Sequence, residues 1–301
     1  MKDSRGNMGT EVNSLNEEIH VDGLEDAAPA PAKDADREKA VALSESVTFR
    51  SEVALNRNVL DEAQKLVELC AEADIDITLC AAVRLVQYLD IMLCKNQFLN
   101  LTAIREWDKA LVLHLVDSLT VLPEFDCQPK GVRSHPFLDM GTGAGLPGIP
   151  LAIVRENRKG VLCDSVNKKI VAVQEFVTEL GMEEQLQTKS ERLEVLGMNF
   201  RRAYGCILAR AVAALPVLVE YAAPLLSRNG CLIISKGIPL PQEYRDGIQT
   251  AEICGLEFAG ERTLELPREF GSRTILSFKK VSEPEVALPR PVGEASKVPL
   301  I

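Results

Sequence analysis

No C-x-x-C pair occurs among the eight cysteines, and His20, His114 and His135 have no ligand spacing. Zinc sites need such pairs on short turns, so no metal centre is expected. Cys70, Cys80, Cys94, Cys127, Cys163, Cys206, Cys231 and Cys254 are scattered, most of them inside apolar runs, which reads as buried reduced thiols rather than a disulfide frame. No apolar run approaches the roughly 20 residues needed to span a bilayer. Residues 1–18 are polar and acidic with no apolar core, so neither a secretory signal nor a transit peptide is expected. The expected location is the cytoplasm.

Positive charge is also short. Lys and Arg total 34 against 44 Asp and Glu, a net charge of −10. Taken whole, that balance argues against a nucleic-acid partner. It is unevenly placed, however: the first fifty residues hold 11 acids and 6 bases. A mildly acidic body can still carry a local basic face. With 301 residues, 46% of them hydrophobic, the chain has ample material for a core.

Composition and periodicity divide the chain into four parts. Residues 1–50, with Ala27-Ala28-Pro29-Ala30-Pro31-Ala32 at their centre, read as a disordered acidic tail that repays little ordering entropy. Residues 51–122 show helical spacing in three segments, from about Glu52, over Ile77 to Asn96, and over Trp107 to Leu122, giving an N-terminal helical cap. Residues 123–281 open on a linker, Pro123 to Ser134, and then alternate strands with helices, as a parallel sheet covered on both faces requires. Residues 282–301 read as a flexible Pro-rich tail.

The third part is organised around residues 137–150. Phe137 to Met140 is a short apolar run with one acid, the form of a buried parallel strand. Gly141, Gly143 and Gly145 then free the backbone to turn and approach a ligand. Pro147 and Pro150 suit a helix's first turn. The stretch is ambiguous as a pattern. Residues 143–148 spell G-x-G-x-x-G, the dinucleotide fingerprint. Two residues earlier, Asp139-x-Gly141-x-Gly143-x-Gly145 spells the nucleotide loop of S-adenosylmethionine (SAM) methyltransferases.

Three features bear on the choice. Asp164 ends a second strand about 20 residues on, where an acid accepts hydrogen bonds from ribose hydroxyls in either cofactor. Asp139 stands before the first glycine, where it can face the SAM amino-acid group. Residues 256–266 and 274–281 are two β-like runs joined by a short loop, so they pair antiparallel. A mostly parallel seven-stranded sheet finished by an antiparallel hairpin is the Rossmann-like topology of SAM-dependent methyltransferases.

Longer motifs carry a family resemblance. Asn100-Leu101-Thr102-Ala103-Ile104, His114-Leu115-Val116-Asp117-Ser118-Leu119 and the run from Asp139 to Pro150 resemble the RsmG (GidB) family, bacterial 16S ribosomal RNA guanine-N7 methyltransferases. Leu162-Cys163-Asp164-Ser165, Arg192-Leu193-Glu194, Ala209-Arg210-Ala211-Val212-Ala213, Ser235-Lys236-Gly237 and Arg273-Thr274-Ile275-Leu276 extend the match over about residues 52–281. The resemblance implies SAM as cofactor, with contacts at Gly141, Leu146, Leu193, Glu194 and Arg210. It also implies 16S rRNA or the small ribosomal subunit as partner, with no membrane or metal, and a monomer is expected.

Guanine N7 is an acceptor that carries no proton, so its methylation needs alignment and charge control but no general base. Arg210, Lys236 and Arg273 stand at strand ends or turns, where a cation could reach guanine O6, and are the candidate catalytic residues. His114, Asp117 and Ser118 share one helical face, which suits packing on the cofactor loop or RNA contact better than a hydrolytic triad. Two other readings stay open: a SAM enzyme acting on a small molecule or protein, and an NAD-dependent oxidoreductase using the literal G-x-G-x-x-G. A SAM-binding protein without activity is a third.

Overall fold

Short apolar runs punctuated by glycine and proline become seven strands of one sheet. The computed structural model describes residues 33–210 and 213–301. Its strands are β1 (Phe137–Met140), β2 (Gly160–Asp164), β3 (Leu186–Ser190), β4 (Tyr204–Arg210), β5 (Leu226–Lys236), β6 (Leu256–Glu265) and β7 (Ser272–Lys280). They lie in the order β3-β2-β1-β4-β5-β7-β6. The first five run parallel, and β7 is antiparallel to both β5 and β6. Strand order reverses between β1 and β4, which opens a crevice at their carboxyl ends.

The helices are α1 (Lys33–Ser46), α2 (Val59–Glu72), α3 (Leu79–Leu99), a composite α4, then α5 (Leu122–Asp126), α6 (Lys130–Arg133), α7 (Gly148–Val154), α8 (Asn167–Glu179), α9 (Leu193–Asn199), α10 (Leu215–Ala222), α11 (Pro241–Ile253) and α12 (Glu294–Lys297). Composite α4 joins Trp107–Ala110, a π turn Leu111–Val116 and Asp117–Leu119. Alternation along the strands feeds two cores. Phe137, Leu162, Leu208 and Ile233 pack on the side covered by the cap, α7 and α8. Leu138, Ile207, Leu232 and Ile234 face α10 and α11. Among the described residues no helix is long and apolar enough to cross a membrane, and no group of three or more His, Cys, Asp or Glu is placed to hold a metal. All eight cysteines are free thiols.

The cap is tied by buried polar contacts as well as by apolar surface. Glu62 of α2 accepts the Trp107 indole N–H at 2.8 Å, and Phe49 stacks on Trp107 with ring centroids 5.0 Å apart. Buried Asp90 of α3 accepts the backbone N–H groups of Arg50 and Ser51, both at 2.8 Å. Tyr88, also in α3, is fully buried and donates its hydroxyl to the Ala144 carbonyl at 2.9 Å. The cap thereby grips the glycine loop directly.

Several expected boundaries shift. The expected acidic tail covers residues 1–50. Residues 1–32 lie outside the described residues, but Lys33–Ser46 is helical, because Ala40 is buried and Asp36 accepts the Leu79 and Cys80 N–H groups at 2.7 and 3.3 Å. The helix expected from Glu52 starts at Val59, where the Asn58 side chain caps it, and Val53 is exposed. The expected linker at 123–134 holds α5 and α6, with Phe125 fully buried. The C-terminal segment is packed rather than flexible. Leu288 and Ala295 are buried, and Arg290 pairs with buried Glu220 at 2.5 Å.

Asp36 caps the first turn of α3 from another helix, so its loss leaves two backbone donors without that acceptor. Asp36→Ala should cost about 1 kcal/mol. Chemical denaturation checks this, and a midpoint equal to wild type would show that α1 adds nothing to the cap.

Candidate active site

The turn after β1 uses glycine where the backbone demands it. Gly141, Gly143 and Gly145 have φ of 76°, 60° and 99°. A Cβ on Gly145 would also sit 2.5 Å from the Ile149 side chain. The Gly141 and Thr142 N–H groups both donate to the Cys163 carbonyl at 2.9 Å, fastening the loop to the end of β2. Leu146 is buried just before α7. The result is a loop presenting backbone, without bulky side chains, at the carboxyl end of β1.

Asp139 departs from its expected role. Its side chain is fully buried and does not face the crevice. One carboxylate oxygen accepts the Thr142 hydroxyl at 2.6 Å and the Gly148 N–H at 2.9 Å, while Oδ1 has no partner. The physical reason is the strand's alternation, which turns residue 139 to the same face as Phe137, under α7. A Cβ on Gly148 would lie 2.8 Å from that oxygen and 2.3 Å from Leu162, so only glycine fits there. Asp139 is a latch inside the loop. Burial lifts its pKa to about 6, against the hydrogen bonds from Thr142 and Gly148 that lower it.

Asp164 remains half-exposed at the crevice edge. Its Oδ2 accepts the Gly143 N–H at 3.1 Å and its Oδ1 the Val166 N–H at 2.9 Å. Each oxygen accepts one hydrogen bond and so keeps a second lone pair. Leu193 is half-buried at the start of α9, after β3. Glu194 beside it is buried and accepts the Gly293 N–H at 2.7 Å, so its side chain turns to the C-terminal segment. Contact with a ligand at this position is left to the Leu193 side chain and the backbone.

Across the crevice the structure brings two of the three candidate cations together. Arg210, at the end of β4, and Arg273, at the start of β7, share the carboxylate of Asp117. Arg273 Nε lies 2.9 Å from Oδ1, and Arg210 Nη1 lies 3.3 Å from Oδ2. The π turn makes this possible. The Asp117 N–H reaches back five residues to the Val112 carbonyl, which deprives the Leu113 carbonyl of its α-helical donor. That carbonyl accepts Arg210 Nη1 at 3.3 Å. Lys236 stands apart. It pairs with Glu243 of α11 and donates to the Ala213 carbonyl at 3.2 Å, while Glu243 also accepts the Leu215 N–H at 2.9 Å. Ala211 and Val212, between Arg210 and this cluster, lie outside the described residues.

His114, Asp117 and Ser118 form no relay. The Ser118 hydroxyl donates to the His114 carbonyl of its own helix at 2.5 Å. His114 Nε2 lies 3.0 Å from the Thr102 hydroxyl, and Nδ1 is buried without a partner. Burial, aided by the Arg210 charge, lowers the His114 pKa to about 4, so the ring is neutral at physiological pH. Asn96 holds Thr102 from both sides, through its backbone N–H at 2.9 Å and its carbonyl at 3.0 Å. Sequence reasoning missed the roles of Tyr88, Asn96 and Glu243; for Tyr88 and Asn96 a polar atom on an apolar helical face is the signal, and Glu243, in the polar first turn of α11, leaves none.

A parallel sheet with an antiparallel β7, a glycine loop after β1 and an acid ending β2 define a Rossmann-like methyltransferase. A family model described as "GidB: rRNA small subunit methyltransferase G" matches residues 82–261, more than half of the chain. The "Ribosomal RNA small subunit methyltransferase G" of Alkaliphilus metalliredigens is 33% identical over 233 residues, covering 77% of this chain and 95% of that protein. The protein of the same name from Pelotomaculum thermopropionicum is 33% identical over 240 residues, covering 79% and 98%. The chain belongs to this family.

Asp139 gives a pH signature with a definite sign. Its folded-state pKa rises from the ordinary 3.8 to about 6, so between those values the folded protein keeps a proton that the unfolded chain releases. Its contribution to stability therefore falls as pH rises through that window and is level above it. The stability of wild type relative to Asp139→Asn should decline across the window by at most about 1.4 kcal/mol per pH unit. Unfolding curves at several pH values test this; a difference independent of pH would mean that Asp139 titrates as it does in water.

Proposed function

We propose that this chain transfers a methyl group from S-adenosylmethionine to N7 of a guanine in the decoding-region loop of 16S ribosomal RNA. One observation carries the reading: two arginines held on one carboxylate, Asp117, across the crevice from a glycine loop in a chain of this family. The residues present suit the cofactor. Three glycines at positive φ leave a cradle of backbone, and Asp164 at its edge has lone pairs for ribose hydroxyls. Gly141, Gly143, Gly145 and Leu146 would line the cofactor's amino-acid side, and Leu193 with the backbone at Glu194 its base. When bound, S-adenosylmethionine supplies an electrophilic methyl carbon.

The chain's own work is alignment. N7 offers a lone pair without deprotonation, so no general base is required. His114, neutral and buried, is not available as one. Arg210 and Arg273 present N–H donors at fixed positions, and a guanine O6 set against them holds N7 toward the glycine loop. Asp117 orients both guanidiniums and lowers their net field, which matters because methylation leaves a positive charge on the base. Lys236 has its charge spent on Glu243, which also braces α10, so its part in the reading is to shape the crevice wall.

Two measurements test the proposal. SAM, and not NAD, should raise the melting temperature, and methyl transfer to 16S rRNA or small subunits should yield N7-methylguanine at one position. Arg210→Gln should lower kcat on the order of 10²-fold, the usual loss for a preorganised donor. Methyl transfer that survives RNase treatment of the substrate would overturn the RNA assignment in favour of a protein or small molecule.

A further inference from the structure

The end of the sheet opposite the crevice holds a cluster of cations that methyl transfer does not use. Arg202, Arg228, Lys280 and Glu283, with Leu226, Val281 and Ser282, line a cavity of about 250 Å³. Three separate elements deliver the cations. Arg202 sits in the turn before β4 with φ of 56°. In β5 the ladder pairs Tyr204 with Leu226 and then Cys206 with Cys231, so residues 227–230 loop out and carry Arg228 to the rim. Lys280 ends β7.

The charges do not balance. Glu283 is the one acid lining the cavity, and it is taken by Arg202 at 2.5 Å. Lys280 is only 5% exposed, and its ammonium donates to the Cys254 carbonyl at 2.9 Å. Among the described residues no carboxylate lies within ion-pair distance of Lys280 or of Arg228. Buried charges in folded proteins are paired, because desolvating a lone ion costs several kcal/mol. Three cations against one acid leave the cavity lining net positive, in a chain whose net charge is −10.

We propose that this cavity is a phosphate-binding site, which holds a backbone phosphate of the RNA substrate far from the target base. The RNA part rests on the proposed function; the anion part does not. Burial lowers the Lys280 pKa most; Glu283 nearby opposes this, and the Arg202 and Arg201 charges add to it. Lys280 lies seven positions along β7 from Arg273, about 24 Å at the usual rise per residue. A phosphate there therefore belongs to a different segment of a folded RNA than the one entering the crevice. Two-point docking of this kind suits an enzyme that must choose one guanine in a large structured RNA. It also supplies affinity that an acidic surface otherwise lacks.

The test uses the full chain and three forms: wild type, Arg228→Glu, and Glu283→Gln. Arg228 is exposed and Glu283 lies on the surface, so both variants should fold; wild-type melting curves would verify it. Pyrophosphate should raise the melting temperature of wild type, fail to do so for Arg228→Glu, and act at severalfold lower concentration on Glu283→Gln, where Arg202 is released. With 16S rRNA or small subunits as substrate, Arg228→Glu should raise KM for RNA severalfold with kcat and the SAM Kd unchanged. The slope of log KM against log salt should fall by about 1. Equal pyrophosphate shifts in all three forms, or none, would overturn the site. A pyrophosphate effect confined to wild type and Glu283→Gln, with KM for RNA unchanged in Arg228→Glu, upholds a phosphate site and assigns it to free phosphate instead of RNA. Absence of RNA methylation by wild type would defeat the functional reading alone, and the pyrophosphate result would stand.

Discussion

A fully buried carboxylate with one unpartnered oxygen sits where the strand order reverses, and the crevice depends on it. Asp139 draws the Thr142 hydroxyl and the Gly148 N–H onto one oxygen, closing a nine-residue excursion back onto its own strand end. Without that latch the three left-handed glycines would have many conformations open to them. With it, Gly145 is wedged against Ile149 and the Ala144 carbonyl is presented to Tyr88. Burial opposes the charge and the two hydrogen bonds favour it, which is why the pKa lands at about 6 rather than far higher. The loop's shape is thus held by a fully buried carboxylate.

The second organising contact joins the two halves of the chain. Asp117 belongs to the cap and its two arginines to the sheet, so one carboxylate sets the position of β4's end, β7's start and α4 together. The π turn matters because it frees a carbonyl and shifts Asp117 in register, giving Arg210 two acceptors at once. An arginine with two acceptors has lost most of its rotamer freedom before any substrate arrives. Tyr88 repeats the principle at the glycine loop. The cap helices therefore act as braces for the crevice, and their burial in one core with α7 and α8 is what makes the braces stiff.

How legible this was depended on whether a feature is local. β1 was readable to the residue, since four apolar-compatible positions before a glycine leave little choice, and the antiparallel hairpin followed from the shortness of its loop. Helix α1 was not readable, because its stability comes from Asp36 reaching Leu79 across more than forty positions of sequence. The C-terminal segment was misread for the same reason: Arg290 looks like a free base until Glu220 is placed beside it. In the candidate site, the glycines stand out by pattern, and Arg210 by the family resemblance and its place at a strand end. Asp139 is legible as the acid before the glycines, and its place on the same face as Phe137, under α7, follows only when the alternation is counted along the strand. That Asp117 gathers two arginines could not be inferred, since residues 117, 210 and 273 meet only through the sheet order.

Charge pairing gives the acidic composition a physical sense. Arg210 and Arg273 share Asp117, Lys236 has Glu243, and Arg290 has Glu220, so the cations that sequence would offer to RNA are largely neutralised inside the protein. Such groups recognise by direction more than by net charge: each keeps N–H donors aimed at a fixed point while its long-range field is cancelled. A site built this way discriminates among bases at short range and contributes little to capturing a polyanion at long range. Capture must then come from cations that are not internally paired, and the exposed Arg228 at the rim of the cavity is of that kind. Division of labour between a neutralised, geometric site and a remote electrostatic one is how an acidic chain can act on RNA without binding every RNA it meets.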